Sequence, residues 1–206
     1  MAGLHQSAVA LLLAIVANTA PWASGQLLRG RWDYPIDAGL TLPDGKRLLG
    51  SHKTWRGLIS GELACILVAW LCGLPLALGA EFAALSLAAD AGSSFLKRRL
   101  SLPPGAEMAG LDQLPEVLLP LCLLAAPLGL SVVDAVAVGV VFFGIDRAVH
   151  PLRRRLECAG SGQLIGGVPG AVLAEGMIGY LIWLLAAVCL LAVILGLIVF
   201  SLSSSS

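Results

Sequence analysis

Charge is what this sequence has least of. Asp, Glu, Lys and Arg make up 13% of its 206 residues, and mean hydropathy is +0.89. Soluble domains carry roughly 25% charged residues, so that class is excluded. Aromatics are also few, at 6%, and no basic stripe carries a series of them, so no nucleic-acid surface is expected. The five cysteines (Cys65, Cys72, Cys122, Cys158, Cys189) form no C-x-x-C pair and lie mostly in apolar runs. Their odd number and scatter exclude a disulfide framework and a structural zinc site. The chain also lacks an internal repeat, a G-x-x-x-x-G-K-S/T loop, a G-x-G-x-x-G after a strand and an H-E-x-x-H helix.

What is present is long apolar sequence. Six runs stand out: Leu4 to Ala23, Gly57 to Gly73, Leu74 to Ser93, Gln113 to Leu128, Val132 to Val149, and Val172 to Phe200. At roughly 20 residues per span, they predict an all-α, polytopic helical membrane bundle of about six transmembrane helices. Residues 1–206 then form a single integral membrane domain, in which residues 171–200 supply the last, C-terminal helix. The third and fourth runs are broken by Pro75, Gly79, Pro120, Pro127 and Gly129, so their ends are the least defined.

Twelve of the thirteen Lys and Arg residues fall in three gaps between these runs, and Arg147 sits at the very end of the fifth run, beside the third gap. With six alternating spans, the three gaps share one face. By the excess of positive charge on cytoplasmic loops, that face is cytoplasmic and both termini lie outside. This predicts a protein of the inner (cytoplasmic) membrane whose active-site loops face the cytoplasm. The first run is read as a span rather than a signal peptide, because MAGLHQS carries no Lys or Arg and the charge follows the run.

The charged residues gather in a way that suggests chemistry. On a helix, Asp90, Ser94, Lys97 and Arg98 share one stripe. One reading is an anchor in which Lys97, Arg98 and Arg99 snorkel and pair with Asp90. The other is a site, because a carboxylate at span depth has to face a partner or a wet cavity. The turn after Ser101 folds the chain back, returning Asp112 and Glu116 towards the level of Asp90. Two or three carboxylates beside a basic rim suit Mg²⁺ and a polyphosphate. The first gap has the same character, with Asp37, Asp44, Lys53 and Arg56 among glycines. In it, His52 is read as a solvated interfacial residue and Trp55 as an interfacial anchor.

Several segments carry a resemblance: Ala17-Asn18-Thr19-Ala20-Pro21, Pro35-Ile36-Asp37-Ala38-Gly39, Asp44-Gly45, Gly50-Ser-His-Lys53-Thr54-Trp55-Arg56-Gly57, Asp90-x-x-x-Ser94-Phe95-x-Lys97-Arg98-Arg99, and Asp112-Gln113-Leu114. Over residues 14–120 the chain resembles the CDP-archaeol synthase family, relatives of the integral membrane CDP-diacylglycerol synthases. The resemblance implies a cytidylyltransferase that joins CTP to a membrane-embedded lipid phosphate, requires Mg²⁺ and releases pyrophosphate. It implies that Asp90, Asp112 and Glu116 hold the metal and that Lys53, Arg56, Lys97 and Arg98 contact phosphates. Asn18, Asp37, Asp44, Thr54, Ser94, Arg99 and Gln113 would then bind substrate. Three departures stand out. Ala89-Asp90 replaces Gly-Asp, Pro115 stands where the family pattern leads one to expect an acid, and the sixth run exceeds about five spans.

On the residues alone, two other functions stay open. A small transporter or channel would draw its ion path through Glu62, Asp90 and Glu175. A non-catalytic membrane subunit would need no chemistry. Ether-linked and ester-linked lipids are equally admissible, the surrounding membrane lipids being common to both. Small-residue runs such as Ala83 to Ala91 leave room for a homodimer.

Overall fold

The computed structural model describes residues 2–28, 31–102, 113–160, 164–165 and 168–169. They form α1 (Ala2–Leu27), α2 (Trp55–Leu71), α3 (Leu76–Arg99), α4 (Gln113–Leu123) and α5 (Val132–Gly160), then a minimal antiparallel pair, β1 (Leu164–Ile165) with β2 (Val168–Pro169). Residues 1–142 and 143–206 are two compact units. The first holds α1 to α4 and the start of α5; the second holds the rest of α5 and the β pair.

Local chemistry sets the helix ends. Thr54 caps α2, its Oγ1 accepting the Gly57 amide at 3.2 Å. At the other end Gly73 takes φ +70°. Its amide donates to the Trp70 carbonyl at 3.2 Å, and the Leu74 amide donates to the Ala69 carbonyl at 2.8 Å. This left-handed closure satisfies the last carbonyls, and Pro75 then prevents continuation. At the start of α5, the Ser131 hydroxyl accepts the Asp134 amide while the Asp134 carboxylate accepts the Ser131 amide, a reciprocal cap.

In the first unit α1 packs on α2 and α3, α2 on α3, and α3 on α4. The distribution of side-chain size is inverted relative to a soluble bundle. On α2 the buried stripe is Gly57, Gly61, Cys65 and Ala69, spaced every four residues, whereas Ile59, Leu63, Leu67 and Trp70 are exposed. Small residues inside let the helix axes approach closely, and bulky apolar residues outside have only lipid to meet. Gly57 and Gly61 both pack against Pro21 of α1, and the Cys65 thiol reaches the Leu13 carbonyl at 3.7 Å.

The helical class matches the sequence expectation; the count of six spans is not reproduced within the described residues. Only Gly3–Leu27 is there both long and apolar enough to cross a membrane by length and composition. The fourth run is helical only as far as Leu123, after which the chain turns through residues 124–129, because Pro127 and Gly129 favour turns. α3 runs past the end of its apolar run at Ser93 to Arg99, as the shared stripe of Asp90, Ser94, Lys97 and Arg98 requires. Hydropathy cannot register that extension, since three bases in a last helical turn are unfavourable to lipid yet favourable to the helix dipole. The expected helix over residues 171–200, with Glu175, lies outside the described residues. So do Asp112, Arg29 and most of the turn that follows Ser101.

The tightest approach to a neighbouring backbone is at Gly79. A Cβ built there would sit 2.7 Å from both the Ala69 Cβ and the Cys65 carbonyl oxygen. Gly79→Ala is expected to lose about 1–3 kcal/mol of stability, and Gly79→Leu to prevent a folded, monodisperse protein. Gly92 has open space at its Cβ, so Gly92→Ala is the control and should leave the midpoint unchanged or raised. Thermal unfolding in detergent measures all three.

Candidate active site

The segment between α1 and α2 folds on itself before it enters α2. The Ile36 amide bonds the Lys53 carbonyl at 2.8 Å and the Trp55 amide bonds the Tyr34 carbonyl at 3.0 Å. A second ladder, the Leu42 amide to the Lys46 carbonyl and the Leu48 amide to the Leu40 carbonyl (2.9 Å each), closes around Asp44-Gly45. These bonds fix where Lys53 emerges, one residue before the cap of α2. Its ammonium forms an ion pair with Asp90 of α3. Asp90 is therefore partnered across the bundle by Lys53. The anchor reading, in which Asp90 pairs with the bases of its own helix, did not anticipate that partner.

This pair stands at the polar end of a cavity of about 320 Å³. His52, Lys53, Thr54 and Asp90 line that end, and Pro21, Leu58, Ala84, Leu87 and Ala88 line the apolar remainder, with Glu62 among them. Thr54 and Gly57, at the first turn of α2, line the same cavity, where the positive end of the helix dipole favours an anion. His52 is exposed, as an interfacial residue should be, yet its ring forms part of the cavity wall and packs on Gly50. Partial burial pushes its imidazole below the ordinary value. The Lys53, Lys97 and Arg98 cations act in the same direction, against the pull of Asp90.

At the end of α3, Ser94, Lys97 and Arg98 are all buried. They are not snorkelling, which removes the other half of the anchor reading. Lys97 and Arg98 each have interaction partners; the Ser94 hydroxyl is 1% exposed and has no hydrogen-bond partner among the described residues. Across from them, Gln113 and Glu116 are buried in the first turn of α4, and the Asn18 side-chain amide of α1 donates to Glu116 at 2.5 Å. Positions 115 and 116 point differently. Pro115 lines an apolar groove with Ala89, Gly92, Leu96 and Leu118, whereas Glu116 faces α1. Glu116 is thus the inward acid of this turn.

Four residues expected at the site are engaged in the loop instead. Arg56 pairs with Asp33 at 2.7 Å and donates to the Arg31 carbonyl at 3.1 Å. Arg99 pairs with Asp44 and donates to the Arg47 carbonyl at 2.7 Å. Lys46 extends this contact, its ammonium reaching the Arg99 carbonyl at 3.1 Å and the Ser101 hydroxyl at 2.6 Å. The Asp37 carboxylate accepts from Arg47 at 2.6 Å, the Gly39 amide at 3.0 Å and the Leu49 amide at 3.2 Å. Burial pushes Asp37 up, but the Arg47 hydrogen bond, the two amides and the Arg47 charge together hold it below the ordinary carboxylate range. Asp33, Lys46 and Arg47 had no individual role in the sequence reading, since nothing in local spacing pairs residues ten or more positions apart.

Among the described residues no three His, Cys, Asp or Glu side chains converge as a metal cluster. The hard oxygen donors are Asp90 at the cavity and Glu116 on α4. Mg²⁺ needs only one or two carboxylates when substrate phosphates and water complete its shell. Asp90, which already holds one cation in Lys53, fits that requirement.

Comparison with known proteins places these residues in context. Residues 4–85 match the CarS-like family, CDP-archaeol synthase. A CDP-archaeol synthase of Thermofilum pendens is 41% identical over 112 residues, covering 52% of this chain and 55% of that protein. One from Pyrobaculum arsenaticum is 34% identical over 140 residues, covering 66% of this chain and 84% of its own length. A solved structure described as "Structural insight into an intramembrane enzyme for archaeal membrane lipids biosynthesis" superposes with a TM-score of 0.57 at 32% identity, covering 69% of this chain and 91% of that one. The match thus spans little more than half the length of the Thermofilum protein.

Because Asp37 is held ionised, its contribution to stability is present above the ordinary carboxylate range and lost as pH falls through its lowered value. Asp37→Asn should cost about 1–3 kcal/mol at pH 7 and make the segment between α1 and α2 a preferred site of limited proteolysis. The gap between variant and parent should close in acid. Protease sensitivity and unfolding midpoints measured from pH 7 down to pH 3 check both.

Proposed function

The chain belongs to the CDP-archaeol synthase family, and from that membership we propose that it transfers the cytidylyl group of CTP to a lipid phosphate held in the membrane. The lipid is archaetidic acid, the phosphate of an ether-linked isoprenoid diether, and the other product is pyrophosphate. The observation that carries the reading is a single cavity whose mouth is ionic and whose depth is apolar. A lipid phosphate has the same two halves. A transporter would need polar groups continuing through the bundle, and within the described residues the charged groups of the candidate site gather at one end of α2 and α3.

In the reaction a phosphate oxygen of the lipid attacks the α-phosphorus of CTP in line. The new O–P bond forms as the bond to the β-phosphate oxygen breaks, and pyrophosphate leaves with the electron pair. No covalent enzyme intermediate is required. The protein's task is to align two polyanions that repel each other. Lys53 and the hydroxyl of Thr54 bind phosphate at the cavity mouth, in the field of the positive end of the α2 dipole. Lys97 and Arg98 extend that positive field along α3, where Ser94 presents an unused hydroxyl, and Gln113 is buried in the first turn of α4. Arg56, Arg99, Asp37 and Asp44 hold the folded loop against α2 and α3, so Lys53 and His52 stay at the cavity. Asp90, with Glu116 and Asp112, would hold Mg²⁺, which when bound neutralises charge on the triphosphate and the departing pyrophosphate.

The distribution of bases supports six spans with this end facing the cytoplasm, where CTP is made available. The Asn18 to Glu116 bond supports Glu116 as the acid that serves in place of position 115.

Incubation of purified protein with radiolabelled CTP, Mg²⁺ and a panel of lipid phosphates tests the reading. Label should enter archaetidic acid; no incorporation into any lipid would overturn it. Asp90→Asn should lower kcat at least a hundredfold without loss of folded protein. Glu116→Gln keeps an oxygen for Asn18, so a comparable fall in kcat would identify its charge, and unchanged turnover would remove it from the site.

A further inference from the structure

Glu62 is the charged-type residue of the cavity that neither the motifs nor the reaction has used. It lies on the third turn of α2, on the face that also carries Thr54 and Leu58. Around it are Leu58, Ala84, Leu87 and Ala88. It makes no hydrogen bond or ion pair among the described residues. An ionisable side chain at span depth without a partner is retained for something it touches only part of the time.

Its depth can be read from the helix register. α2 and α3 are antiparallel, with Gly61 facing Leu87 and Gly79 facing Cys65 and Ala69. Asp90 is therefore level with about residue 58, and Glu62 lies one helical turn, roughly 5–6 Å, further from the cavity mouth. Phosphate bound by Lys53 at the cavity mouth would put the next three or four bonds of the lipid at that level. In a glycerol-based lipid phosphate those bonds carry the oxygens that join the two chains to glycerol. Ether and ester oxygens accept hydrogen bonds and cannot donate them. Among the described residues, the one donor the apolar wall can offer them is a carboxyl O–H at Glu62.

We propose that Glu62 is a substrate-contacting specificity residue, its neutral carboxyl donating a hydrogen bond to a backbone oxygen of the lipid phosphate while Lys53 holds the phosphate. The pair acts as a ruler: it accepts a phosphate with a linking oxygen about 5 Å away and disfavours a simple alkyl phosphate, which has none and leaves the carboxyl unpaired. The inference rests on the lipid-phosphate reading above, and its test separates the two.

The experiment measures steady-state kinetics of the full-length protein in detergent micelles, with archaetidic acid and a long-chain alkyl phosphate each varied at saturating CTP. Wild type that labels no lipid refutes the lipid-phosphate reading itself. With an active wild type, Glu62→Leu should raise KM for archaetidic acid three- to tenfold. It should leave KM for CTP and the KM for alkyl phosphate within twofold, so the preference between the two lipids shrinks. Glu62→Gln, whose amide also donates, should restore most of that preference. Equal losses in Leu and Gln variants would mean that an ionised carboxylate is what matters and would overturn the proposal. So would a Leu variant with unchanged lipid preference. If the Leu variant fails to fold, the Gln variant and Glu62→Ala decide the same question.

Discussion

Everything at the candidate site depends on how closely α2 can lie against α1 and α3. Gly57 and Gly61 seat on Pro21, while Gly79 sits against the Cys65 carbonyl, so no side chain holds the helices apart. In lipid there is no hydrophobic gain from bringing apolar helices together, and dispersion at short range has to supply the contact. Close approach lets a lysine that precedes α2 reach an aspartate in the middle of α3. It also leaves a cavity beside the crossing, because the same small residues that permit contact in one place leave space unfilled in the next.

The folded segment between α1 and α2 supplies the other half of the site. It is not part of any span, yet it is built with as much hydrogen bonding as a small domain. Asp37 closes it from within through Arg47 and two amides. Lys46 and Arg99 join its tip to the end of α3. The consequence for chemistry is indirect. His52 and Lys53 inherit their positions from bonds made by residues that do not line the cavity, so substitutions there can change substrate binding without touching substrate.

Much of this was legible in the sequence, and the legible part has a physical pattern. Periodicity and hydropathy located α1, α2, α3 and α5, because those helices are defined by apolar length. The four-residue spacing of Asp90, Ser94 and Arg98 marked the polar stripe of α3. Partners remote in sequence were invisible: Lys53 with Asp90, Asn18 with Glu116 and Arg56 with Asp33 are set by tertiary packing and loop folding. The helix of the fourth run ends at Leu123, short of the apolar run's own end at Leu128, because hydropathy counts residues and ignores what Pro127 and Gly129 do to the backbone. Glu62 was seen only as a step in an ion path. Its solitude in an apolar wall is a property of its neighbours, which no local pattern records.

One consequence follows from the length of α2. Seventeen residues make a rod of about 25 Å, some 5 Å short of an ordinary hydrocarbon core, and α4 is shorter still. Lipids beside a short helix compress or splay to cover it. A leaflet crossed by α2 would thin beside it, bringing the headgroup plane nearer to Lys53. A phosphate bound for the cavity would start its journey already part of the way in.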